Sequence, residues 1–146
     1  MAFTDEELRR RAFKRVALML FSFWEEQRDN QPRSAAVHSR LFDTLVYNEY
    51  IKLNDKAPDR QYPEHVVPCA YIRNHAFKMF WENKSSDDVA AMIGRVLRIA
   101  YIRPEDAKRL DAVHKSTMPD GWNPECDSIL RRFEDEGITI ADLKGT

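Results

Sequence analysis

Glu64 and His65 stand side by side in Pro63-Glu64-His65-Val66-Val67-Pro68, at the head of a short β-branched run that a proline ends. Burying either group unpaired costs roughly several kcal/mol, so two ionisable residues opening a strand imply a partner or a task. The residue types suit proton transfer and cation binding. An imidazole near its ordinary pKa is a competent base at physiological pH, and a carboxylate is a natural ligand for a hard cation. Cys69 lies between His65 and His75, so a Cys/His transition-metal set is conceivable, but the sequence offers no fourth ligand nearby. A basic run, Arg9-Arg10-Arg11 with Lys14 and Arg15, is a second candidate. It reads either as a phosphate-binding face or as a solvated helix face balanced by Asp5, Glu6 and Glu7.

The totals limit what these groups can belong to. A chain of 146 residues fits a single globular domain with a real core, spanning 1–146. Only four glycines occur, which disfavours both hairpin-rich all-β architecture and glycine-rich phosphate loops. The net charge of −1 supplies no global pull toward nucleic acid or an anionic surface. Two cysteines without a CxxC pairing argue against a disulfide framework and for a reducing, cytoplasmic setting. The apolar run Val16 to Phe21 is too short to span a bilayer. Acids precede it and no small-residue cleavage site follows, so neither secretion nor a membrane is expected.

Thr4 and Glu7 form a capping-box pair, and apolar residues then recur at helical spacing from Leu8 to Phe23. This predicts a helix from Asp5 to about Arg28, its second half central to the core or to a homodimer interface. A second helix is expected from Ser34 to Leu53, carrying Tyr47, Tyr50 and a structural His38. A loop over Asn54 to Tyr62 leads to a short strand, Glu64 to Val67. Pro68 suits the first turn of a third helix. Ser85 and Asp88 can cap a helix from Val89 to about Arg95. Val96 to Ile102 is the clearest strand, and Pro104 with Glu105 and Asp106 opens a helix that buries Leu110 and Val113. A turn at Met118 to Trp122, a helix from Asn123-Pro124 to Gly137, and an edge strand at Ile138 to Ile140 complete the chain.

An acid–His pair on a strand, then a second strand running straight into a helix with acids in its first turn, resembles the ββα-metal (HNH-type) nucleases. The resemblance covers Pro63 to His114 and rests on Glu64-His65-Val66-Val67-Pro68 and on element order. It implies a divalent metal ion (Mg or Zn) and a DNA substrate. His65 would be the base that deprotonates the attacking water, Glu64 a metal ligand, and Asp106 the helix ligand with Glu105 as its substitute. Asn74 or Asn83 would orient His65. The cation would stabilise charge on the phosphate in the transition state. Arg9, Arg10, Lys14, Arg98 and Arg103 would meet the DNA backbone.

Some features depart from that pattern. The inter-strand segment reads as helical, and the glycine-rich loop after the proline is missing. His114, about two turns beyond Asp106, is far for a shared metal. In the structural alternative, His65 is satisfied by Glu64 or a backbone carbonyl, while Glu105 and Asp106 only complement a helix N-terminus. The expected fold class is α+β, mostly α: a helical domain with two or three short strands and a ββα-metal-like core. Two functions follow from different readings. One is a small metal-dependent nuclease, active or degenerate. The other is a non-enzymatic inhibitor or adaptor of the phage or mobile-element type, acting through a protein partner at the Trp81–Trp122 aromatics or the charged face of the first helix.

Overall fold

The computed structural model describes residues 2–30, 37–46 and 49–144. Its elements run α1 (Asp5–Asp29), α2 (Leu41–Leu45), β1 (Ile51–Lys52), β2 (Tyr62–His65), α3 (Cys69–Trp81), α4 (Ser86–Val96), β3 (Arg98–Ile102), α5 (Pro104–His114) and α6 (Arg131–Asp135). This is an α+β fold, mostly α, with one small sheet. The described residues gather into two compact units. One draws on Met1–Glu49 and Ile72–Gly94, the other on Tyr50–Tyr71 and Arg95–Thr146.

The helical unit is organised on α1. Thr4 caps it reciprocally: its hydroxyl accepts from the Glu7 N–H at 3.1 Å, and its own N–H donates to the Glu7 carboxylate at 3.1 Å. Ala12, Phe13, Val16, Ala17, Leu20 and Trp24 are buried at helical spacing, whereas Leu18 and Met19 face solvent. The apolar half of α1 is therefore only partly enclosed. Its far end joins an aromatic cluster in which Trp24 meets Phe80 at 5.7 Å and Trp81 edge-on at 5.4 Å. Ser85 and Asp88 cap α4 as their spacing predicts, each bonding the other's backbone N–H at 3.0–3.1 Å. Those bonds hold the Asp88 carboxyl below the usual carboxylate range.

The second unit is organised on β3, whose residues Ile99 to Ile102 are all buried. β1 pairs parallel to it and β2 antiparallel, giving the order β1-β3-β2. Glu64 lies opposite Ala100 and His65 opposite Ile99. α5 starts at once after β3, with Pro104 in its first turn.

Several expected elements differ. The helix expected over Ser34 to Leu53 is a single short turn, α2, followed by a strand; residues 31–36 and 47–48 lie outside the described residues. The β-branched Ile51 pairs with β3 instead of extending a helix. The first strand is displaced toward its N-terminus, to Tyr62–His65, and Val96 closes α4 instead of opening β3. The last helix is confined to Arg131–Asp135, because residues 124–130 turn tightly around Asn123 and Ser128 side chains. Ile138 and Ile140 are buried without forming a strand, and Val113 is exposed. Among the described residues, no helix is long and apolar enough to cross a membrane.

Candidate functional site

Glu64 is buried, and so is what it touches. Nη2 of Arg132 donates to Glu64 Oε1 at 2.9 Å and to the His65 carbonyl at 2.6 Å, while Nη1 donates to the His114 carbonyl at 3.0 Å. The Arg132 side chain is 1% exposed. Burial pushes the Glu64 carboxyl above the ordinary carboxylate range, against the pull of Arg132. The imidazole of His65 is half-buried, with Nε2 3.4 Å from the Tyr50 hydroxyl and the two rings edge-to-face.

Asp106 is also buried and also held by arginine. Arg103 forks onto it with two bonds of 3.2 Å, and Arg109 reaches it at 3.4 Å. Glu105 is exposed, 3.9 Å from the Arg103 guanidinium. Asp106 borders a cleft of about 390 Å³ that also receives Arg60, Arg103 and Arg109. Arg60 is paired there with Asp142 at 2.8 Å, and Arg109 donates to the Glu136 carbonyl.

Among the described residues, no group of three or more His, Cys, Asp or Glu is placed to hold a metal ion. Glu64, Asp106 and Glu105 are therefore not gathered as a ligand set, and neither are His65, Cys69 and His75. The two buried carboxylates are neutralised by guanidinium groups, so the donor set present does not fit a divalent cation. The two asparagines proposed to orient His65 have other work. Asn83 ends α3 in the left-handed region (φ 63°), and exposed Asn74 accepts from Arg73 at 3.1 Å.

The basic residues divide between the units. Arg98 and Arg103 belong to the sheet unit; Arg9, Arg10 and Lys14 belong to the helical unit. The latter three, with Arg11 and Arg15, rim a groove of about 860 Å³ between α1 and α4. Its floor is apolar and small: Phe13 and Leu18 on α1, Ala90, Ala91 and Gly94 on α4. The helices can approach because α4 turns Gly94 toward the Phe13 ring. Lys14 ties the two together, donating to Ser86 at 2.8 Å and pairing with Asp87. Arg11 lies over the Phe3 ring at 4.3 Å, and Arg15 donates to the Leu45 carbonyl at 2.8 Å. Arg9 and Arg10 have no hydrogen-bond or ion-pair partner among the described residues, and Nε of Arg9 is shielded from solvent without an acceptor.

Of the aromatic surface expected at Trp81 and Trp122, Trp81 is exposed. Trp122 is buried, packed edge-on to Tyr71 and donating to the Ser128 carbonyl at 2.8 Å.

Three residues that shape these regions carry little signal in the sequence. Arg132 reads as one more cation on a helix face, and its acid lies 68 residues away. Asn54 reads as the start of a polar loop. It is instead fully buried, accepting from the Tyr101 N–H at 2.7 Å and donating to the Tyr101 and Ala141 carbonyls at 3.1 and 3.0 Å. Gly94 sits in a run of small residues, Ala90-Ala91 and Gly94, whose helical spacing is the one cue to the groove. Set against protein-family models, curated proteins and solved structures, the chain matches none.

Proposed function

We propose that this chain is a non-enzymatic binding protein, an inhibitor or adaptor that acts through protein–protein contacts in the groove between α1 and α4. The carrying observation is that groove itself: an apolar floor of Phe13, Leu18, Ala90, Ala91 and Gly94 under a rim where Arg9 and Arg10 have no hydrogen-bond or ion-pair partner among the described residues. Exposed apolar surface bordered by unsatisfied charge is the composition of a recognition patch. The arginine pairing of Glu64 and Asp106 supports the same reading, since both acids of the sequence motif are engaged in holding the sheet unit together. A photo-crosslinking side chain at position 18 should capture a defined protein, and Ala91→Leu, which fills the groove, should abolish that capture. Capture unaffected by Ala91→Leu would refute the groove as the binding surface.

The antiparallel pair of β2 and β3, with α3 and α4 between them in the chain and β3 running directly into α5, supports a second reading as a ββα-type nuclease derivative acting on DNA. Glu64 would then have to exchange Arg132 for a cation. Cleavage of duplex DNA that requires Mg²⁺ or Zn²⁺ and is lost in His65→Ala would favour this reading over the first.

A further inference from the structure

We infer that the occupant of the α1–α4 groove is an acidic amphipathic helix of a partner protein. The inference rests on the protein-binding reading above and specifies its ligand.

Two features of the groove set the chemistry. Its floor is built from two roughly helix-length walls whose contact residues are small or apolar, Ala90, Ala91 and Gly94 facing Phe13 and Leu18. A shallow trough of this kind takes an apolar stripe with anchors at i, i+3, i+4 and i+7, and small side chains let a third helix approach closely. The rim then selects charge. Five cations line it against two acids, Glu6 and Asp87; Lys14 and Asp87 pair with each other, which leaves four arginines against Glu6. Arg11 and Arg15 are four residues apart, so this pair repeats at one helical turn. Carboxylates at the same interval on a docked helix would meet them. Arg9 and Arg10, which have no hydrogen-bond or ion-pair partner among the described residues, leave their terminal guanidinium nitrogens to carboxylates at the edge of the stripe.

Other occupants match less of this. A DNA backbone would engage the arginines, but it gains nothing from covering Leu18, which is 50% exposed, or the alanine floor. A second copy of the chain would have to bring an acidic amphipathic helix of its own. The most acidic helix opening here, Asp5-Glu6-Glu7, lies on α1 beside the same cations, so self-association would set arginine against arginine.

The test is fluorescence anisotropy with three labelled probes. These are a synthetic helix with leucines at i, i+3, i+4 and i+7 flanked by glutamates, the same helix with lysines for the glutamates, and a duplex DNA. The acidic helix should bind saturably, and the lysine helix and DNA should not. Arg9→Gln with Arg10→Gln should weaken binding about tenfold or more, and Ala91→Leu should abolish it, with the circular dichroism of each variant unchanged. Equal binding of the acidic and basic helices, DNA binding that depends on Arg9 and Arg10, or no saturable binding of the acidic helix would each overturn the inference. Concentration-dependent dimerisation blocked by Ala91→Leu would overturn it in favour of a second copy. If crosslinking from position 18 still gives an Ala91-sensitive partner while the acidic helix fails to bind, the ligand class is wrong and the binding reading stands. If both fail, the binding reading falls as well.

Discussion

Arg132 and Arg9 carry the same guanidinium in opposite circumstances. The Nη atoms of Arg132 are committed to Glu64 and to the carbonyls of His65 and His114, and its side chain is closed off from water. Arg9 sits at the edge of a groove with no partner among the described residues. The first arrangement converts a cation into a structural strut: it joins β2, the end of α5 and α6 through one planar group. The second leaves hydrogen-bonding capacity for something outside the chain. A count of arginines does not separate these cases; the acceptors within reach do.

The contrast can be broken at its strongest point first. Arg132→Ala leaves the Glu64 carboxyl buried without its partner, and should destabilise the fold by about 3–5 kcal/mol in urea denaturation. A shape-conserving double change, Arg132→Met with Glu64→Leu, should recover much of that loss. Recovery would show that the single variant suffers from an uncompensated charge and not from lost packing alone. Asn54→Ala removes one acceptor and two donor bonds inside the sheet unit, and should cost about 2 kcal/mol with no effect on the groove.

The Glu64 carboxyl gives a pH signature. Its pKa is raised in the folded protein, so the fold binds this proton more tightly than the unfolded chain does. Its contribution is then fully present below the ordinary carboxylate range and is lost as pH rises through the raised value. Glu64→Gln should flatten that fall in a series of urea denaturations at increasing pH. An unchanged slope would mean that Arg132 offsets burial, and a steeper fall in the variant that Arg132 outweighs it. Thr4→Ala, which removes the α1 cap, should cost about 1 kcal/mol in thermal unfolding. Smallest of all, Arg9→Gln with Arg10→Gln should alter stability by no more than about 0.5 kcal/mol while changing what the groove binds. That result would complete the comparison, since loss of one arginine weakens the fold and loss of the others leaves it intact but deaf.

What could be read in the sequence was local. Thr4 with Glu7 and Ser85 with Asp88 announce their helices because both partners of each cap lie within one turn. β3 is legible because a run buried on both faces must be apolar throughout. The failures share a physical cause. Ile51 looked helical until β3, distant in the chain, offered it hydrogen bonds. Asn54 looked solvated because nothing nearby reveals that its amide replaces a backbone partner for Tyr101. The motif acids were visible as acids, but the arginines that hold them decide their role. Arg103 and Arg109, which grip Asp106, stand within a turn of it and could have been foreseen; Arg132, facing Glu64, could not.

Gly94 extends this lesson to a residue that acts by leaving clearance. A methyl group there would stand 3.1 Å from Cδ2 and 3.3 Å from Cε2 of Phe13, so the ring would have to retreat by a few tenths of an ångström. Glycine inside a helix sacrifices about 1 kcal/mol relative to alanine. Restoring that loss with Gly94→Ala would strengthen α4 in isolation while tilting the aromatic plate beneath the trough. A more robust helix and a differently shaped receptor would arrive in one substitution.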